Sequence, residues 1–381
     1  MKIMISAGEA SGDLHGANLA KKIKELCPTA ELFGMGGVKM EAEGVEILQG
    51  IDKLGVMGLF ASLGLIRKLF KIRSRMLEEL SRRKADVLVV IDYAEYNTSL
   101  ARKAYKMGIP VVFYISPSAW IWRKGRAKDV AAISDRVASI FPFEAKVYRE
   151  AGANVTEVGH PLVDIAVPTR SFEEAQAFFE IDPTKKQILM MPGSRRQEIE
   201  KVLPMMVEAA EILLKKDAAL EFFLPLAHTI PEEWVRPYLA GKEIPLRIIR
   251  DDTYDLISIC KVGMITSGTA SLEAAILGLP AVIVYRTSPL TYWVGRRLTD
   301  IELFGLPNIV SGEGILPELL QDEVTGERIA AEVVKWLEDS EEYQKAIHNL
   351  AKMKEKLGGG GAVRRTAEVV LEVARMRRGE A

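Results

Sequence analysis

Lys2-Ile3-Met4-Ile5-Ser6-Ala7-Gly8-Glu9-Ala10-Ser11-Gly12-Asp13 opens the chain. Its apolar run, Ile3 to Ala7, is continuous rather than alternating, as expected of a strand covered by helices on both faces. Gly8 then permits a tight turn, and a helix follows at once. The start of that helix favours anions and close approach of a ligand. The G-x-G-x-x-G spacing is missing, and simple capping by Ser11 and Asp13 explains the same residues equally well.

The same grammar repeats outward from this point. Val87–Ile91, Val111–Ile115 and Val137–Ile140 read as further strands of a first half. Ile188–Met191, Glu221–Leu224, Val262–Ile265 and Ala281–Tyr285 read as strands of a second. Amphipathic helical stretches lie between them. Two blocks of strand–helix repetition predict an α/β protein of two doubly wound parallel-sheet domains, with ligands at the C-terminal edges of the strands. A length of 381 residues agrees with two cores rather than one. Turn residues from Gly159-His160-Pro161 to about Asp182 mark the boundary. The expected domains are 1–165, 166–357 and a terminal helix, 358–381, after four glycines. That glycine run is either a flexible turn or a bend that returns the last helix to the first domain.

Composition narrows the function classes. A net charge of −1 gives no global attraction to nucleic acid. Two distant cysteines and four scattered histidines form no metal signature, and no D-x-D pair occurs, so neither metal nor cofactor is expected. The first apolar run is too short for a signal peptide, and no stretch reaches the length of a transmembrane helix. A cytoplasmic protein is the expectation.

Three further loops carry chemistry. Val90-Ile91-Asp92-Tyr93-Ala94-Glu95-Tyr96-Asn97 places two acids at a strand end, where a carboxylate can take a proton from a hydroxyl or merely cap a helix. In Met191-Pro192-Gly193-Ser194-Arg195-Arg196-Gln197-Glu198, a Gly-Ser turn and Arg195 at a helix start suit a diphosphate. The alternative is a solvated face paired with Glu198 and Glu200. Thr266-Ser267-Gly268-Thr269-Ala270-Ser271-Leu272-Glu273 again ends a strand in small hydroxyl residues. Its amides suit phosphate oxygens and Glu273 suits ribose hydroxyls, with helix capping as the plain alternative. Finally, Leu59, Leu63, Ile66 and Phe70 share a helical face. Lys53 to Leu77 holds no acid, and basic residues crowd Arg67 to Arg75. Leu59, Phe60, Leu63, Ile66, Arg67, Lys68, Leu69, Phe70, Lys71 and Arg73 form a candidate patch for an anionic membrane, or an ordinary core-facing helix with a basic outer side.

The ordered strings GEASGD, GMGG with MEAEG, VMGL, SPSAWIWR, FPFE with VGHPL, PGSR, SGTASLEA and FGLPN resemble the lipid-A-disaccharide synthase family over essentially the whole chain. The resemblance implies two facing Rossmann-like domains of the GT-B type, with the active site in the interdomain cleft. It implies an inverting, metal-free hexosyltransferase of lipopolysaccharide synthesis. The substrates would be UDP-2,3-diacylglucosamine and 2,3-diacylglucosamine 1-phosphate, and the products a β(1→6) disaccharide 1-phosphate and UDP. Asp92 would then be the base and Arg195 the group that steadies the leaving diphosphate. Glu9, Ser11, Asp13 and Glu95 would line the acceptor side. Gly193, Ser194, Arg195, Ser267, Gly268, Thr269, Glu273 and Asn308 would hold the nucleotide. Ala94 and Glu95 depart from the residues common in that family, which leaves Glu95 as a rival base. Peripheral contact with the cytoplasmic face of the inner membrane is implied, and a homodimer is left open. The competing readings are a UDP-N-acetylglucosamine epimerase, which shares the architecture, and a non-catalytic UDP-sugar-binding protein.

Overall fold

The computed structural model describes residues 1–51, 63–117, 125–227, 230–288, 292 and 302–380, with the side chains of 63–66 outside the description. The chain divides into two compact units, Met1–Ile165 with Gly359–Ala381, and Ala166–Gly358.

Among the described residues the first unit has seven strands: β1 (Lys2–Ala7), β2 (Glu31–Gly36), β3 (Glu46–Gly50), β4 (Val87–Ile91), β5 (Val111–Tyr114), β6 (Arg136–Ser139) and β7 (Val155–Glu157). They pair in the order β3-β2-β1-β4-β5-β6-β7, every pairing parallel. The interior strands β1, β4 and β5 are almost wholly buried, which explains their unbroken apolar sequence. Six helices fall between these strands: α1 (Ala10–Leu26), α2 (Val38–Ala42), α3 (Leu63–Arg83), α4 (Ala94–Lys106), α5 (Gly125–Ala131) and α6 (Pro142–Glu150). Helix α3 buries Ile72, Met76 and Leu80, spaced four apart on one face.

The four-glycine turn leads into the C-terminal helix Ala362–Arg378, which belongs to the first unit and packs on α1. Its entry is fixed by the Asp164 carboxylate, which accepts from Gly361 N at 2.6 Å and Val363 N at 3.0 Å. Asp164 lies in the short helix α7 (Leu162–Ile165). The Arg365 guanidinium donates to the Val158 carbonyl at 2.6 and 2.9 Å.

Among the described residues the second unit has six parallel strands: β8 (Lys186–Met191), β9 (Leu220–Pro225), β10 (Leu246–Ile249), β11 (Val262–Thr266), β12 (Ala281–Tyr285) and β13 (Glu318–Leu320). Their order is β10-β9-β8-β11-β12-β13. Helices α8 (Phe172–Phe178), α9 (Arg196–Lys216), α10 (Arg236–Leu239), α11 (Thr253–Ile259) and α12 (Thr269–Ile276) follow in chain order. In each unit the strand order reverses direction beside the first strand, between β1 and β4 and between β8 and β11. Crossovers part to opposite faces there and open a crevice at the C-terminal edge.

Candidate active site

The reversal in the first unit brings the loop after β1 against the loop after β4. Gly8 is required for this approach, because a Cβ there would lie 2.2 Å from Cδ1 of Tyr93. Glu9 is the N-cap residue of α1, and Ser11 sits in that helix's first turn. Glu9 is close enough to Tyr93 that burial, Glu9 and Glu95 together raise the Tyr93 phenol above its ordinary range.

Asp92, directly after β4, has φ 51°, Tyr93 follows with φ 50°, and Ile115, directly after the adjacent β5, has φ 55°. Left-handed backbone at non-glycine residues costs about 1–3 kcal/mol each and persists only where the surroundings impose it. Two interactions impose it here. Asp92 N donates to the Ile115 carbonyl at 3.2 Å, and Asp92 Oδ1 accepts from Tyr93 N at 2.8 Å. Buried Asn97 supplies the rest. Its Nδ2 donates to the carbonyls of Asp92 (2.8 Å), Ile91 (3.0 Å) and Ser6 (3.1 Å), and its Oδ1 accepts from Ser6 Oγ at 2.7 Å. One amide thereby ties the ends of β1 and β4 together under Asp92. The hydroxyls of Tyr93, Tyr96 and Ser116 are buried nearby, with no hydrogen-bond partner among the described residues.

The remaining predicted acceptor-side acids differ in employment. Buried Asp13 accepts from Gly37 N (2.7 Å), Lys39 N (3.1 Å) and Met40 N (3.1 Å), so its carboxylate caps α2. Glu95 is exposed and pairs with Arg126 on α5.

In the second unit the loops after β8, β11 and β12 lie side by side. Gly193 has φ 120°, a conformation that suits glycine. It turns the chain so that the Ser194 and Arg195 amides converge on Glu198 Oε2, at 2.8 and 3.1 Å. An anion already occupies the start of α9, and it is the chain's own carboxylate. The Arg195 guanidinium stands 3.4 Å from Glu198 Oε1 and is about half exposed. Ser267 Oγ donates to the Phe304 carbonyl at 2.9 Å. Gly268 is the N-cap of α12, and Thr269 is that helix's first residue. The Glu273 carboxylate accepts from Tyr254 on α11 at 2.9 Å, a positioning partner that the sequence did not reveal.

Asn308, in the helix Leu306–Ser311, is buried. It donates to Leu316 O (2.8 Å) and Glu318 Oε1 (2.7 Å) and accepts from Ile315 N (3.0 Å) and Leu316 N (2.9 Å). Both amide protons and both lone pairs of its side chain are engaged. Its task is to hold the Phe304–Leu316 loop, whose Phe304 and Gly305 amides also meet Glu318 at 2.8 Å each. That loop sets Phe304 between Tyr285 and Tyr292, ring centroids 6.4 Å apart on both sides. This aromatic layer at the end of β12 was also not anticipated.

Of the cationic stretch, Leu59 and Phe60 and the side chains of Leu63 and Ile66 lie outside the described residues. Arg67, Lys68, Phe70 and Lys71 are exposed on α3, with Phe70 51% accessible. Leu69 turns inward against the core. Arg73 also turns inward, donating to Ser99 Oγ and covering the Phe70 ring at 4.7 Å. Among the described residues no helix is long and apolar enough to cross a membrane, and no cluster of metal-ligating side chains occurs.

A family model described as lipid-A-disaccharide synthetase matches residues 3–373. A lipid-A-disaccharide synthase of Geobacter metallireducens is 42% identical over 98% of this chain and 97% of its own length. The synthase of Geobacter sulfurreducens matches with the same identity and coverage. Among solved structures, a UDP-GlcNAc 2-epimerase from Neisseria meningitidis bound to UDP-GlcNAc superposes with a TM-score of 0.70 over 98% of this chain and all of its own. At 17% identity that likeness concerns the fold alone.

Proposed function

The chain belongs to the lipid-A-disaccharide synthetase family, and on that premise we propose how its two sheet edges divide the work of the family's glycosyl transfer. It is a glycosyltransferase acting on a UDP-sugar and a lipid acceptor. The specific pair is UDP-2,3-diacylglucosamine and 2,3-diacylglucosamine 1-phosphate. The carboxylate of Asp92 takes the proton from the acceptor's 6-hydroxyl as that oxygen attacks the anomeric carbon of the donor. The new C–O bond forms on the face opposite the breaking bond to UDP, so the configuration inverts. UDP departs as an anion, steadied by Arg195 and by the amides at the starts of α9 and α12. Glu273, oriented by Tyr254, receives the ribose hydroxyls.

Support comes chiefly from one observation: Asp92 is the acid at the reversal point of the first sheet, in a strained backbone braced by a buried amide. Glu95 is the weaker base, since Arg126 holds it as an ion pair. Asp13 also caps α2 and Asn308 also braces the Phe304 loop, so a part of either in binding passes through those elements.

Membrane contact belongs to the same proposal. The exposed Arg67, Lys68, Lys71 and Phe70 on α3 suit the cytoplasmic leaflet of the inner membrane, where acylated substrates reside. A radiolabelled assay tests the reading. Labelled UDP-2,3-diacylglucosamine and the acceptor should yield a lipid disaccharide and UDP. Equal consumption of unacylated UDP-glucosamine, with no lipid disaccharide formed, would sink it.

A further inference from the structure

A cavity of about 320 Å³ opens between α4 and α5, at the small end of the range for ligand pockets (~300–1,000 Å³). Among the described residues its polar lining is Glu95, Thr98, Ser99 and Arg102 from α4 and Arg126 and Asp129 from α5. We propose that this cavity receives the phosphate of the acceptor, an inference that rests on the transferase reading above.

Three features carry it. The first is charge. Arg126 pairs with Glu95 and Arg102 with Asp129, so these four cancel. Arg73 stands behind Ser99, and among the described residues no carboxylate pairs with it. Among the described residues the lining itself is thus neutral, and Arg73 adds one positive charge behind it.

The second is donor capacity. A guanidinium has five N–H donors, and each arginine here commits few of them. The Arg102–Asp129 contact, at 3.6 Å, is too long for a hydrogen bond. Ser99 Oγ accepts from Arg73, which leaves its own proton to give to an oxygen in the cavity. Thr98 supplies a second hydroxyl. Two cationic forks and two hydroxyls match a phosphomonoester, which offers several acceptor oxygens and no obligatory donor.

The third is position. Ala94 and Glu95, the first residues of α4, line the near end of the cavity, and Asp92 precedes them in the turn after β4. Arg102 lies eight residues further along α4, ~12 Å of helix. A hexose is shorter than that between its 6-hydroxyl and a 1-phosphate, and the difference is covered by Arg126, which meets Glu95 at the near end, and by the long Arg102 side chain, inclined toward the start of the helix. An acceptor laid along α4 would present its 6-hydroxyl toward Asp92 while its phosphate reaches the arginines.

The test compares the 1-phosphate acceptor with its 1-dephospho counterpart, in wild type, Arg126→Gln and Arg102→Gln, assayed in uncharged detergent micelles. Wild type should prefer the phosphorylated acceptor at least tenfold in kcat/KM. Each variant should raise KM for that acceptor about tenfold, leave the dephospho acceptor and UDP affinity little changed, and so erase the preference. Soluble glucosamine 1-phosphate should compete with the acceptor in wild type and lose that ability in the variants. Equal losses on both acceptors would reveal a structural role and overturn the inference, as would a wild type indifferent to the phosphate. Should the arginine effect arise only when phosphatidylglycerol vesicles replace the micelles, the cavity binds a lipid headgroup and the inference again fails. Absence of disaccharide from every enzyme and acceptor would instead refute the transferase reading.

Discussion

The C-terminal sheet edges of the two units share a plan and differ in construction. At the first, strain surrounds a carboxylate: Asp92, Tyr93 and Ile115 are left-handed, and Asn97 holds the Asp92 carbonyl. At the second, the backbone turns through Gly193 and Gly268 into ordinary helix starts, and the amides of α9 already hold a carboxylate. Each construction suits a different task. A base needs a fixed direction, which strain and buried hydrogen bonds provide. A nucleotide site needs exchangeable anion contacts, which amides and a half-exposed arginine provide.

Mutation can break this contrast. The largest effect is expected at Asp92, where Asp92→Asn should lower kcat by about 10²–10⁴-fold. Near-normal turnover would move the base to Glu95. Arg195→Ala should lower kcat by about 10²-fold and also weaken UDP, as expected of a group that meets the leaving diphosphate. An unchanged UDP affinity in that variant would contradict its placement. Asn97→Ala strips the Asp92 and Ser6 carbonyls of a buried donor. It should lower thermal stability by about 1–3 kcal/mol together with kcat. A stability loss with full activity would make Asn97 a brace of the sheet alone.

Acid should separate the units as well. Burial holds His15 at about 4, and burial together with His15 holds His160 at about 3. Below about pH 6.5 the unfolded chain binds protons that these folded imidazoles refuse, so stability falls as pH drops toward 4. Burial raises Glu144 to about 7 against the hydrogen bond from Ser139, and it works in the opposite direction. Its folded carboxyl gains a proton first, adding stability between pH 7 and about 4.5. Two imidazoles outweigh one carboxyl, and all three lie in the first unit. Hydrogen exchange in β1 and α1 should therefore quicken between pH 6.5 and 4.5, more steeply in Glu144→Gln. Exchange that slows on acidification would refute this balance. The smallest effect is expected at Glu198. Glu198→Gln weakens the anion that competes for the α9 amides and should tighten UDP by a few fold in titration calorimetry. Weaker UDP would show that Glu198 shapes the loop.

Much of this contrast was legible in the sequence. Continuous Val and Ile runs mark β4, β5, β11 and β12, because interior parallel strands have no solvent face to encode. Strand β2, Glu31-Leu32-Phe33-Gly34-Met35-Gly36, was not legible, since glycines interrupt its apolar run although it lies inside the sheet. That Asp92 and Arg195 follow buried strands was readable from the apolar runs before them. The tasks of Asp13 and Asn308 were not, because a polar side chain after a strand looks the same whether it meets a ligand or the backbone of a neighbouring loop. Asp13's partners are 24 or more residues away in sequence. Helix α3 shows a similar limit. Its basic residues were counted correctly, but only packing distinguishes outward Lys71 from inward Arg73.

Chemistry at one edge and nucleotide binding at the other should be separable by mutation. The most direct measurement is UDP affinity by calorimetry alongside turnover, for Asp92→Asn and Arg195→Ala in the same preparation. The predicted result is an Asp92→Asn enzyme that binds UDP like wild type and forms almost no disaccharide, beside an Arg195→Ala enzyme that loses both. An Asp92→Asn enzyme that loses UDP affinity, or that keeps its turnover, would contradict the division.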